Sequence, residues 1–424
     1  MAALEDAVTH LNRGLRVLST LSETPERIQQ ELRLQLALGV AFQLARGYGA
    51  PEAGRAHTRT RELSHRVGDT ERLFSALGLL FMFHTTQGDQ KTAREIGVAL
   101  LNIAQETQVL MYLMVPHWHL GIQRLFVGKL VEAREHLERA IAYYEPAQHQ
   151  AFTSRYGLEP GVLSLAARSW VLWLLGYPAQ AVTRSQEAMA LAETLAYPPG
   201  IAMAQSYACG LYVFIRQWPR VQTLAEAVLH VSDEHGLRYW RTAGLVCRGW
   251  ALAQQGSKED KEEGTAQIRQ GIEASRAMGT DVLGVFQNTL LAEGYGKAGQ
   301  VKEGLAAIED VLGNVSAHRT RQSGERFYEP EAHRIKGVLL LMRAEAGNEA
   351  RGKAEACFWR AIESAREQAA KMLELRATMS LCRLWQQQGK REAARRILQE
   401  IYDWFTEGFD TYDLQEARTL IKEF

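Results

Sequence analysis

The sequence predicts an all-α protein, a right-handed superhelix of about nine to ten antiparallel helix pairs stacked in a row. Three observations lead there. Small residues recur at fixed places, most clearly in Met114–Ala147, where Leu120-Gly121 is followed by Gly128, Ala133, Leu137 and Ala140. Apolar residues keep helical spacing along nearly the whole chain, and a β-compatible stretch such as Val109–Val115 sits inside that register. Only ten prolines interrupt 424 residues, most of them at the edges of periodic segments.

The Met114–Ala147 unit shows why each position is filled as it is. Helices over Pro116–Val127 and Leu130–Tyr144 meet at Gly128, which can take the left-handed conformation that ends a helix. Gly121 and Ala133 are small where two antiparallel helices touch. Leu137 and Ala140 follow Ala133 by four and seven residues, so the three share one helix face.

From the N-terminus, Leu4, Val8, Leu11, Leu15 and Leu18 mark an amphipathic helix over residues 4–22. Helix 26–46 ends at Gly47-Tyr48-Gly49, and Pro51–Val67 returns. The next pair is 70–86 and 90–107, turning at Gly88-Asp89. After Ala147 the Pro- and Gly-marked stretch Pro146–Gly161 reads as irregular. Pairing then resumes around Gly176 with Ala181 and Ala188, closed by Pro198-Pro199. It continues with 200–216 and 219–234, then 237–255 and 262–277, separated by a charged insertion at Ser257–Glu263. The pairs 280–298 with 301–313, 329–346 with 351–368, and 370–388 with 391–406 follow. A helix over about Leu414–Glu423 would cap the open end. The expected organisation is 1–147 and 162–313 as two blocks of repeats joined by 148–161. A long loop at 314–328 then leads to a third block at 329–424.

The small-residue pattern resembles the tetratricopeptide repeat (TPR), a helix–turn–helix unit of about thirty-four residues. Three stretches carry a narrower likeness: Leu38–Val67 (LGVAFQLARGYGAPEAGRAHTRTRELSHRV), Gly324–Leu341 (GERFYEPEAHRIKGVLLL) and Glu374–Asp413 (ELRATMSLCRLWQQQGKREAARRILQEIYDWFTEGFDTYD). They resemble the C-terminal TPR region of bacterial proteins in which an adenylate/guanylate cyclase or other effector domain precedes a signalling ATPase module. The sequence contains neither a G-x-x-x-x-G-K-[ST] phosphate loop nor a cyclase carboxylate pattern. The resemblance therefore implies a TPR-like superhelix serving as the sensing or interaction arm of such a system.

Composition narrows the function classes. Lys+Arg and Asp+Glu are 49 each, so the basic footprint of a nucleic-acid binder is missing; Arg55–Arg66 and His318–Arg326 are short clusters that fit solvated helix faces. Cys209, Cys247, Cys357 and Cys382 lie singly in helical patterns, which suits reduced thiols and a cytoplasmic location. No apolar run reaches the length of a membrane span, and the charged Met1–Thr20 does not read as a signal peptide.

Several motifs lose to their context. Gly294–Gly299 satisfies G-x-G-x-x-G, but a helix precedes it and Gly299 occupies a repeat turn. Gly121–Lys129 has the wrong spacing for a phosphate loop and lacks Ser or Thr at Leu130. His117 and His119 point about 200° apart on a helix and cannot readily share a metal. No nucleophile–base–orienter constellation is recognisable. No catalytic residue, metal or cofactor is expected.

In TPR arrays the first helix of each pair lines the concave surface, and that geometry puts Trp118, Trp170, Trp173, Phe214 and Trp250 on the inside. Such rings could grip a ligand or pack between repeats. The positions Glu331, Arg334, Arg376 and Arg383 make the groove more polar towards its C-terminal end. Arg326, Tyr328, His333 and Arg334 form a second candidate, either a recognition patch or an ion-pair network ordering the loop at Arg319–Gly324. The expected partner is a protein, a peptide or a small ligand held within the superhelix, and an associated ATPase or cyclase module. A free-standing peptide-binding adaptor, and an all-α enzyme with an unrecognised site, are the competing readings.

Overall fold

A computed structural model describes residues 2–107, 109–316, 324–343 and 347–424. Within them lie twenty-one α-helices and no strand. Helix α1 (Ala2–Ser19) leads into nine antiparallel pairs: α2/α3 (Pro25–Arg46, Pro51–Val67), α4/α5 (Thr70–Thr86, Gln90–Thr107), α6/α7 (Leu110–Phe126, Leu130–Ala142), α9/α10 (Pro160–Leu175, Pro178–Leu195), α11/α12 (Pro198–Phe214, Trp218–His235), α13/α14 (Arg238–Gln254, Lys258–Ala277), α15/α16 (Gly284–Lys297, Val301–Ser316), α17/α18 (Glu329–Leu341, Asn348–Glu367) and α19/α20 (Lys371–Gln387, Arg391–Tyr402). Helix α8 (His149–Tyr156) stands between the third and fourth pairs, and α21 (Tyr412–Glu423) follows the last.

Local chemistry explains where helices begin. Thr24, Asp69 and Glu159 each accept a hydrogen bond from a first-turn backbone N–H, at 3.2, 2.9 and 2.8 Å. Ser257 and Asp260 form a reciprocal capping box at the start of α14. The stretch Ser257–Glu263, expected as an insertion, is therefore the opening of a helix. Pro116 does not begin α6 but lies inside it, six residues after the start of a helix that is apolar from Leu110 onward. The segment expected to be irregular holds a 3₁₀ turn at Pro146–Gln148 and then α8. Of the expected loop at 314–328, residues up to Ser316 belong to α16, and residues 317–323, with the basic residues His318, Arg319 and Arg321, lie outside the described ones.

The two helices of a pair are buried differently. The second helices bury one stripe: in α10 it is Pro178, Ala181, Ser185, Ala188 and Ala192. In the first helices burial runs all round, and α9 is buried from Pro160 to Leu175 except at Leu165 and Arg168. A helix covered on every side has neighbours on every side, so the first helices touch one another across the superhelix. No described helix is long and apolar enough to cross a membrane.

The repeat contact in α6/α7 is as close as its sequence demands. Ala133 is fully buried, and a Cβ added to Gly121 would stand 2.7 Å from Leu137 Cγ. Ala133→Leu is expected to cost about 1–3 kcal/mol through overpacking, read as a lower urea midpoint; an unchanged midpoint would mean that this register is wrong.

Candidate functional site

The candidate site is built where successive turns of the superhelix meet. The last carbonyls of an α-helix have no partner within the helix. At three first helices those partners come from far along the chain. Thr86 O, ending α4, accepts from the N–H groups of Asp281 and Val282 at 2.9 and 3.1 Å. Phe126 O, ending α6, accepts from Arg326 and Phe327 at 2.8 and 3.3 Å. Phe214 O, ending α11, accepts from the Arg376 guanidinium. Backbones also touch directly: a Cβ on Gly49 would lie 2.3 Å from Gly279 O, so only glycine allows that approach.

Behind these contacts the interior is filled with aromatic rings. Trp170 packs against Phe214, Phe286 and Phe327 at centroid distances of 5.0, 5.7 and 5.9 Å. Trp173 stacks on Phe214 at 4.9 Å, and Phe214 in turn on Tyr328 at 5.5 Å. Of the residues expected on a concave wall, Trp170, Trp173 and Phe214 are thus brought together, but inside a sealed cluster. Trp118 is fully buried in an earlier pair, 4.1 Å from the His119 ring. Trp250 is buried too, its indole N–H donating to Glu293 at 2.8 Å. These rings occupy the interior rather than an open wall, because the first helices approach until their side chains meet.

The second candidate group forms ion pairs within the chain. Arg334 donates to both carboxylate oxygens of Glu331, at 2.8 and 2.7 Å, deep in the interior. Arg376 donates to Asp413 at 3.0 and 2.7 Å and lies 4.8 Å over the Trp173 ring. Burial works against the charged forms, yet Arg334 and Arg376 outweigh it and bring the Glu331 carboxyl down to about 2. Arg326 and His333 both face Glu329, at 2.8 and 3.7 Å, and Arg326 also reaches Glu367 at 3.1 Å. Tyr328 is buried in the aromatic cluster.

Residue Glu325 was not singled out in the sequence. Its carboxyl accepts from the N–H groups of Val285 and Phe286 at 3.2 and 3.4 Å, supplying the cap that Leu283, left-handed at φ 68, does not provide for α15. Burial pushes this carboxyl up to about 8, although the two N–H bonds favour its ionised form.

Beside the aromatic cluster lies a cavity of about 50 Å³. Trp170, Tyr207, Trp240, Phe286, Val282 and Gln287 are among its walls. Only Trp170 had been expected at a site. The register rule picked aromatic positions of the first helices and passed over their neighbours on the same face. One signal was present: Gln287-Asn288-Thr289 is a polar run in a helix buried from Val285 to Ala292. Asn288 and Thr289 bond back to Gly284 O and Val285 O, at 2.8 and 2.7 Å, and Gln287 is left over.

Comparison with known proteins agrees with this architecture. A family profile described as the tetratricopeptide repeat matches residues 375–400. In three dimensions the chain is similar to a Rap protein complexed with competence and sporulation factor, at 12% identity and a TM-score of 0.58, covering 94% of this chain and 99% of that one. It also aligns with human IFIT1, solved as a dimer with m7Gppp-AAAA (13% identity, 94% and 95% coverage, TM-score 0.37), and with the TPR domain of P58(IPK) (13%, 93% and 98%, TM-score 0.24). No curated protein matches by sequence. The chain therefore contains a tetratricopeptide region and folds as a TPR-like helical solenoid.

Two predictions separate structural charges from solvated ones. Arg376→Met removes the guanidinium paired with the buried Asp413 and is expected to cost about 3–5 kcal/mol, whereas Arg241→Met, paired with Asp233 at side chains 44% and 59% exposed, costs under about 1 kcal/mol; urea unfolding measures both. The raised Glu325 carboxyl means that the folded state holds a proton that the unfolded chain releases above its ordinary value of 4.5. Wild-type stability should therefore fall relative to Glu325→Gln as pH rises from 4.5 to 8 and level off above it. A pH-independent difference would show that the carboxyl is ionised in the fold.

Proposed function

We propose that this chain is a non-catalytic TPR scaffold that binds a peptide or protein segment within its superhelix. Through that binding it regulates an ATPase or nucleotide-cyclase module in the cytoplasm. The observation that carries the reading is the cavity where superhelical turns meet, walled by aromatic side chains from several first helices. A ligand seated there touches helices distant in sequence, so its binding energy bears on how closely the turns approach. The Rap protein of similar fold is itself complexed with a separate factor, which favours an interaction role over a catalytic one. The likeness of Leu38–Val67, Gly324–Leu341 and Glu374–Asp413 to cyclase–ATPase–TPR proteins supports the signalling assignment.

Selection of a random displayed peptide library on the purified chain is the direct test, followed by calorimetry of the recovered sequences. Binding tighter than about 1 mM by at least one selected peptide is expected, together with no turnover of ATP or p-nitrophenyl esters above buffer. Recovery of no such peptide, or robust turnover, would overturn the scaffold reading. For the signalling role, adding the chain to a cyclase or ATPase module encoded beside it should change nucleotide turnover, and an unchanged rate counts against that role.

A further inference from the structure

The cavity has one property that packing alone does not explain. Its polar neighbours are nearly all engaged: Ser206 Oγ donates to Ala202 O at 2.7 Å, Thr242 Oγ1 to Tyr239 O at 2.7 Å, and Trp170 Nε1 to Tyr207 O at 2.7 Å. Gln287 differs. The residue is only 8% exposed, lines the cavity, and its side-chain amide has no hydrogen-bond partner among the described residues. Ser275, 3% exposed and on the same wall, has none for its hydroxyl. An amide offers one carbonyl acceptor and two N–H donors, so Gln287 brings free hydrogen-bonding capacity to the cavity wall.

Size and lining decide what would match it. A volume of about 50 Å³ holds a group of a few heavy atoms and excludes a nucleotide, an indole or a whole metabolite. The other walls are apolar: Val246, Val282 and the faces of Trp170, Trp240 and Phe286. The best complement is a short side chain with an apolar stem and an amide tip. Such a tip can pair with Gln287 through two antiparallel N–H···O bonds, one amide donating to the other's carbonyl in each direction. The rim is formed by half-buried Tyr207, Tyr239, Ala243 and Leu283, so the group enters without unfolding a helix.

We propose that this cavity is an anchor pocket for a single carboxamide side chain, asparagine or glutamine, of the bound peptide, read by Gln287 with Ser275 beside it. This assignment rests on the peptide-binding reading above. It also gives a role to the one residue of the polar run Gln287-Asn288-Thr289 whose side chain does not bond back to its own helix.

The test uses the full chain and defined probes. N-acetyl-asparagine methylamide and N-acetyl-leucine methylamide are titrated by NMR at millimolar concentration against wild type, Gln287→Leu and Ala243→Trp. The asparagine probe should shift resonances of α13 and α15 in the wild type. It should bind at least about tenfold more weakly to Gln287→Leu and to the rim-blocked Ala243→Trp, while the leucine probe does not prefer the wild type. Equal affinity for the two probes, binding unaffected by both variants, or no binding of the asparagine probe would overturn the proposal and leave a pocket holding only water. Should Gln287→Leu fail to fold, Ala243→Trp decides alone, because its side chain adds bulk at a half-exposed rim position. The two readings fail differently. Selected peptides that bind without an amide residue, indifferent to Ala243→Trp, remove the anchor and leave the scaffold; failure to select any peptide removes the scaffold while the amide titration still reports on the pocket.

Discussion

The structure depends on finding donors for the carbonyl oxygens that end its first helices. A solenoid of helix pairs could run as an open spiral and leave those groups to water. Here Thr86 O and Phe126 O meet backbone N–H groups from the next superhelical turn, and Phe214 O meets the Arg376 guanidinium. Once these ends are committed to distant partners, the turns must lie in contact. The glycine pair Gly49 and Gly279, the sealed aromatic cluster and the capping of α15 by Glu325 all follow from that closeness.

Closure also explains the distribution of charge. An arginine placed to cap Phe214 O is buried, and a buried guanidinium needs anions in good geometry. Asp413 on α21 and Glu331 on α17 supply them, so the last helix is held to α19 by an ion pair between two side chains each 2% exposed, and Arg376 in turn reaches Phe214 O in the middle of the chain. The terminal helix thus does more than cover an open end. At the same face, Glu407 accepts from the N–H groups of Ala179 and Gln180 at 3.0 and 3.1 Å, tying the segment before α21 to the start of α10. Arg326, by contrast, stays at the surface and pairs with Glu329 and Glu367.

On the proposed reading, recognition falls in a small gap rather than a broad groove. Rings that would line an open channel become the wall between turns, and the space left for a ligand is what their packing does not fill. The walls of that gap come from α9, α11, α13 and α15, from Phe126 on α6 and from Ser275 on α14, so a ligand proposed there would bear on the distance between turns.

The helical class, the nine pairs and most of their ends could be read from the sequence, because helix periodicity, caps, glycine turns and small-residue contacts are local and act within a few residues. The misreadings were local conflicts: Pro116 looked like a start where apolar residues before it carried the helix through, and the polar stretch Ser257–Glu263 was a capping box rather than a spacer. The candidate aromatics lie on apolar faces of their helices, and of them only Trp170 lines the cavity. Whether that side faces solvent was beyond reach. It depends on how tightly the pairs wind, a sum of small rotations that no single repeat encodes, and on contacts such as Arg376 with Phe214 O, 162 residues apart in the chain. The sequence by itself determined the repeating unit and the inward face of each helix. Only the tertiary structure decided that the inward faces meet, since that required carbonyls, glycines and charges from different turns to find one another.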